Sequence, residues 1–197
     1  MTTTTNTATP DYIVESVLTD GEAWVPLITT VVSGTSTSNV QMQSSTGAND
    51  WSQYMDLVII GYDRGAYSAV SGDIYLRFNN DAGSNYENQI MKGTGAAVSG
   101  VDASGTEITI ADVPYDSATA NIFGSYIVNL FDINSGKHKT IISFSGSDRN
   151  GAGEVRGTVS TWKSQAVVTE IDIIPQAGDH LSGSRFDLWG VLPRMVS

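Results

Sequence analysis

Ile74-Tyr75-Leu76-Arg77-Phe78-Asn79-Asn80-Asp81-Ala82-Gly83 sets three apolar side chains at alternate positions and then stops in a run of Asn, Asp and Gly. A period of two marks a strand with one buried face, because successive side chains on a pleated chain point to opposite sides. Asn, Asp and Gly end it because they tolerate the left-handed backbone of a tight turn. The same grammar recurs upstream. Asp56-Leu57-Val58-Ile59-Ile60-Gly61-Tyr62 is a short apolar run of the kind a buried central strand shows. Tyr12 to Leu18 and Trp24 to Val32 are two more, and Pro26 demotes the second to an edge position or a bent entry. Between Ser33 and Asp50 only Val40 and Met42 alternate against polar neighbours, which predicts a weak edge strand.

Downstream, strands are expected at Tyr86 to Met91, around Ile108 and Ile110, at Ile122 to Ile133, around Thr140, Ile142 and Phe144, and at Val155 to Trp162, Val167 to Ile174 and Arg185 to Val191. Gly93 to Gly105 reads as a Gly-rich loop. About ten short strands, with turns roughly every 8 to 15 residues, predict an all-β antiparallel β-sandwich, jelly-roll-like. No long window holds apolar residues at helical spacing, and no repeat supplies a fibrous shaft. The Thr-rich start closed by Pro10 is too polar to pack alone, so residues 1-25 are expected to be an extended, flexible or docking amino-terminal arm and residues 26-197 the sandwich.

Composition excludes more than it identifies. The chain has 197 residues, 10 Lys+Arg against 21 Asp+Glu, a formal net charge of -11, 20 Gly and no Cys. Binding to nucleic acid or to anionic membranes needs Lys and Arg, which are scarce, so neither is an expected partner. Without cysteine there is no disulfide framework, thiol nucleophile or thiolate metal site, although the compartment stays open. There is no apolar run long enough for a transmembrane helix, and Met1-Thr2-Thr3-Thr4-Thr5 lacks the features of a signal peptide. Charged residues make up only 16%, against a usual share of about 25%. Ser, Thr, Asn and Gly supply the polarity instead, as on the surface of a β-protein.

Reactive groups are few. His138 and His180 read as exposed loop residues, and neither has a second His at metal-ligand spacing. No Gly-x-Ser-x-Gly elbow is present. Gly93-Thr94-Gly95 and Gly151-Ala152-Gly153 lack the context of a phosphate-binding loop. Glu15, Glu22, Glu87, Glu107, Glu154 and Glu170 could contribute a catalytic carboxylate pair, but they read as the solvent sides of strands, as Glu170 and Asp172 do beside Ile171 and Ile173. Asp148 to Glu154 and Asn79-Asn80-Asp81 offer oxygen ligands for a hard cation such as Ca²⁺, yet a Gly-rich hairpin and a turn account for them. The four Trp residues, Trp24, Trp51, Trp162 and Trp189, suit core and interface burial, with sugar stacking as the alternative. Trp189 alternates with Phe186 and Leu188 and is the outward member, hence an interface candidate. No catalytic, cofactor-binding or metal residue is assigned, and no cofactor is expected.

One order of segments is familiar. Leu76-Arg77-Phe78-Asn79, then Asp81, then Ser84-Asn85-Tyr86 resembles the "RFN-D-G-NY" segment of a β-rich domain found in virion proteins of tailed bacteriophages. Similar pieces follow in the same order: Phe123-Gly124-Ser125, Asp132 with Lys137-His138-Lys139-Thr140, and Gly151 to Val155. Trp162 with Ser164, Val168-Thr169-Glu170-Ile171 with Pro175, and Gly183-Ser184-Arg185-Phe186 with Leu188-Trp189-Gly190 complete the likeness, which covers roughly residues 55 to 191. Trp189 stands where that family more often has Tyr, and the segment before residue 55 has no counterpart. The resemblance implies a non-enzymatic virion structural protein, made in the host cytoplasm and carried on the virion surface. A capsid decoration or head-fibre protein is the first expectation, because the chain is short and has no shaft repeats. A tail-fibre or receptor-binding protein recognising a host glycan is the alternative, and a carbohydrate-binding module or small glycosidase the second alternative. Implied partners are major capsid or tail proteins, reached through the amino-terminal arm, and further copies in a homotrimer.

Overall fold

The computed structural model describes residues 1–6, 13–14, 17–18 and 23–192. Strands dominate, in the order β1 (Thr2–Thr5), β2 (Ile13–Val14), β3 (Val17–Leu18), β4 (Trp24–Val31), β5 (Val40–Gln43), β6 (Asp56–Asp63), β7 (Gly65–Ala66), β8 (Ser71–Phe78) and β9 (Tyr86–Gly93). There follow β10 (Val98–Gly105), β11 (Ile108–Pro114), β12 (Gly124–Phe131), β13 (Lys139–Asp148), β14 (Gly153–Trp162), β15 (Glu170–Pro175), β16 (Asp179–His180) and β17 (Arg185–Val191). Two single 3-10 turns, Gly47–Asn49 and Trp51–Gln53, are the helical content of the described residues.

All strand pairs in the two main sheets are antiparallel. A nine-stranded sheet runs β1-β4-β17-β6-β12-β13-β14-β9-β10, and a four-stranded sheet runs β11-β8-β15-β5. The four-stranded sheet covers one face of the larger, so the expected sandwich is present, with unequal layers. The alternation in β8 positions it: Ile74, Leu76 and Phe78 are fully buried and share one core with Ile108, Ile110, Ile171 and Ile173 of their own sheet. From the other sheet come Leu57, Ile59, Val128, Leu130, Phe186 and Leu188. Each such side chain contributes roughly 1.5–3 kcal/mol by leaving water, which makes this layer contact the main stabilising term.

The local signals behave as physical chemistry dictates. Asn150 and Gly151 hold φ of 69° and 94° at the tip of the β13–β14 hairpin. The Arg149 N–H donates to the Ala152 carbonyl there, the geometry in which both central residues need positive φ. Pro26 lies where β1 has already ended, opposite a bulge between Leu188 and Trp189, so its missing N–H interrupts no ladder on that side. Val40 and Met42 lie on β5, an edge strand as expected.

Some expectations need correction. Val98 to Gly105 is no loop: β10 pairs with β9 along its whole length, from Val98 opposite Gly93 to Gly105 opposite Tyr86. Thr2–Thr5 also forms an edge strand, pairing with β4 from Thr2 opposite Val31 to Thr5 opposite Ile28. Both are held by backbone hydrogen bonds and leave most of their side chains in solvent, so neither carries an apolar pattern. The run from Tyr12 to Leu18 contains two short paired strands, β2 and β3. The rest of the expected arm, residues 7–12, 15–16 and 19–22 with Glu15 and Glu22, lies outside the described residues.

Candidate functional site

The larger sheet changes character half-way across. Under β4, β17, β6 and β12 its covered face is apolar apart from Thr30 and Asp63. Under β13, β14 and β9 that face is polar: Ser143, Ser145, Ser147, Glu154, Arg156, Thr158, Ser160 and Asn88 are all buried. Glu154, Arg156, Ser160 and Asn88 find hydrogen-bond partners within or across the layers, whereas the Ser143 and Thr158 hydroxyls are buried without one. Arg156 donates from Nε to Glu154 Oε1 at 2.6 Å and from Nη1 to Asp73 Oδ1 of the facing sheet at 2.8 Å. Arg149 Nη1 reaches Asp112 Oδ1 on β11 at 2.7 Å. Asn88 Oδ1 accepts from Ser160 Oγ and from the Thr109 N–H. Burial alone would lower the Arg156 pKa, but the charges and hydrogen bonds of Asp73 and Glu154 raise it instead. For Asp112 burial outweighs the hydrogen bond from Ser71 and the charge of Arg149, and its carboxyl lies above the usual range.

The candidate acids are therefore partnered. Glu154 meets Arg156 and, at 3.7 Å, Lys92; Glu107 meets Arg77; Glu87 meets Lys163. Glu170 accepts from Gln43, and Asp172 accepts from Asn39 and Gln41. Asp172 is buried, a correction to its expected place on an open strand face. Asp148 and Glu154 point to opposite sides of the sheet, Asp148 accepting from the Gly151 N–H and Glu154 turned inward, so they do not converge on one point. Among the described residues there is no group of three or more His, Asp or Glu placed to hold a metal ion.

The familiar 76–86 segment is a structural knot. Asn79 Oδ1 accepts from the Thr169 and Glu170 N–H groups and its Nδ2 donates to the Val167 carbonyl, tying the turn to β15. Asp81 accepts from Trp162 Nε1 at 2.8 Å, from Asn85 and from the Gly83 N–H. Burial would raise its pKa, but these three hydrogen bonds hold it below the ordinary value. Phe78, Tyr86 and Trp162 pack together above it.

His138 is exposed, as expected, whereas His180 is not: it is 0% exposed, as is its partner Asp63. The short β16 pairs with β7 and draws His180 under the sheet. Nothing near His180 in the chain signals this, because Asp63 lies 117 residues away. Trp51 and Trp162 are core, Trp24 is exposed, and Trp189 lies half-buried on the outer face beside Val58 and Pro26, the outward position its alternation predicts.

What remains is the outer face of the large sheet. Across β6, β12, β13, β14 and β9 the register aligns Tyr62, Ser125, Gly146, Val155 and Gly93 in one row. The next row is Ile60, Ile127, Phe144, Gly157 and Met91, and the third is Val58, Asn129, Ile142, Val159 and Gln89. None of these positions carries a charge. Met91 is 65% exposed, Phe144 60% and Val155 54%. Tyr62 stacks on Phe123 at 4.8 Å. The patch was half legible in the sequence: the alternation of Ile142 and Phe144 against Ser143 and Ser145 is visible there, but not which member faces water. Comparison of the chain with protein-family models and with curated proteins finds no match.

Proposed function

We propose that this chain is a non-enzymatic structural protein of a bacteriophage virion surface, of the capsid decoration or head-fibre type, attached to its neighbours through its amino-terminal segment. The observation that carries a structural rather than a catalytic reading is the disposition of the acids. The described glutamates are engaged by Arg, Lys or Gln, while three rows across the outer face of the large sheet are uncharged and mostly apolar. Glycoside hydrolysis needs two carboxyl groups free to face one bond, which is the opposite arrangement. An exposed face of this kind is a surface for assembly. The likeness of residues 55 to 191 to virion proteins supplies the setting, and the homotrimer it implies is part of the proposal. Gold-labelled antibody on intact particles tests it: label on the head is expected, and particles free of label would overturn the reading.

The exposed aromatic residues Trp24, Tyr62 and Tyr67 favour a second reading, a tail-fibre protein whose rings stack on a host glycan. Label confined to the tail, with binding on a glycan array, would select it.

A further inference from the structure

We infer that the outer face of β6, β12, β13, β14 and β9 is the surface through which this chain packs against a second copy of itself. Its composition is inverted relative to the face beneath it. From Ile142 to Ser147 of β13 and from Glu154 to Ser160 of β14 the side chains turned towards the covering sheet are Ser, Thr, Glu and Arg, and Ile142, Phe144, Val155 and Val159 turn to water. Ile141 and Trp162, at the other end of the hairpin, face the core. A sheet with one free side normally turns its apolar side chains inward, and a one-residue slip would reverse them. Here the register is pinned by the Arg156–Asp73 and Arg149–Asp112 pairs, so the apolar side is held outward. Such a face is complete only when covered.

Charge selects the occupant. The chain carries -11 overall, and like-charged copies can approach closely only where the charge is absent. The face is flanked by Arg185 and Asp187 on β17 and by Asp102 on β10, and along the strands by Asp148 on β13 and Glu87 on β9, yet is uncharged between them. A basic partner would find no acid on it to pair with. A glycan would find few hydrogen-bonding groups, since the Tyr62 hydroxyl, Ser125, Asn129 and Gln89 are the polar groups in the three rows. A second copy needs neither.

Relief and size agree. Phe144 stands up between two hollows, one of about 430 Å³ over Gly157 and one of about 360 Å³ over Gly61 and Gly146. A knob and holes on one face are what self-complementary packing requires. Five strands at about 4.8 Å and three rows at about 6.8 Å give a footprint of roughly 24 by 20 Å. With the neighbouring row of Phe131, Thr140, Thr161 and the Lys163-paired Glu87, the planar footprint grows to roughly 24 by 27 Å, somewhat below the roughly 800 Å² per partner of a standard interface. Self-association of this kind does not depend on whether the protein sits on a phage.

Sedimentation equilibrium of the full chain tests it. The expected mass is two or three times 20.9 kDa at concentrations of about 10 to 100 μM. Phe144→Asp and Gly157→Lys should each weaken association at least tenfold, on the order of a lost interface anchor. A Cβ at Gly157 meets nothing within 4 Å, so that substitution leaves the fold intact, and unchanged thermal melts check both variants. Val70→Asp, exposed but away from the face, should leave the mass unchanged. A chain that stays at 20.9 kDa, or an oligomer indifferent to both face substitutions, would overturn the inference while leaving the virion reading to its own test.

Discussion

His180 is held on both ring nitrogens by groups that can only accept. Nδ1 lies 3.0 Å from both oxygens of Asp63, and Nε2 lies 3.1 Å from the Ile173 carbonyl. Only the doubly protonated imidazolium satisfies both. Burial works against that charge, but the Asp63 charge and hydrogen bond, the Ile173 carbonyl and the more distant Asp179 raise the pKa above 6.5. A folded pKa above the unfolded one stabilises the protein fully below about pH 6.5 and ceases to do so as pH rises through the folded value. Denaturant titrations across pH 6 to 10 should therefore show His180 stabilisation falling on the alkaline side, a slope absent from His180→Leu. That variant should lose about 3–5 kcal/mol at pH 6, because Asp63 stays buried without its partner. Glycines set a second kind of constraint. Gly65 and Gly72 lie against the Tyr115 ring from two positions, and a Cβ on Gly65 would occupy the ring's own space. Gly65→Ala should cost about 1–3 kcal/mol, read as a lower melting temperature. Neither contact was legible in the sequence, since each joins residues far apart with no local pattern to mark them.

The elements divide by what holds them. β6, β8, β12, β15 and β17 are secured by side chains in the core, so their apolar periods announced them. β1 and β10 are secured by backbone pairing at the sheet's edges, and Thr or Ser-Gly sequences give no such announcement. The β13–β14 hairpin is intermediate: its Asn150-Gly151 turn is a strong signal, but both of its strand faces look plausible as the buried one. What decides between them is a set of cross-layer charges that sequence spacing does not reveal. Arg156 is 4% exposed and bridges Glu154 and Asp73. Arg156→Leu should leave the half-buried Asp73 without its cation and the buried Glu154 with only Lys92 at 3.7 Å, and destabilise by about 3 kcal/mol at neutral pH, measured by urea unfolding. Lowering the pH should restore part of that loss, because protonated carboxyls no longer need the guanidinium.

At the scale of the whole molecule, a period of two and a surface of Ser, Thr and Gly carried the β-sandwich. Assembly is written in a quantity that periodicity does not give, the side of the sheet that the second layer covers. Once the four-stranded sheet is in place, the polar half of β13, β14 and β9 is inside, and Phe144, Met91 and Val155 are left in water. The same geometry explains the low charge: an uncharged face can be buried without desolvating ions. The net charge of -11 then lies on the rest of the molecule, where it favours solubility. The most direct measurement is a side-chain-resolution reconstruction of virions purified from the phage proposed to encode this protein. The expected result is density on the exterior, with copies meeting through the outer face and Phe144 buried between them. Particles without this chain would contradict the virion reading, and a chain in place with Phe144 facing solvent would contradict the interface.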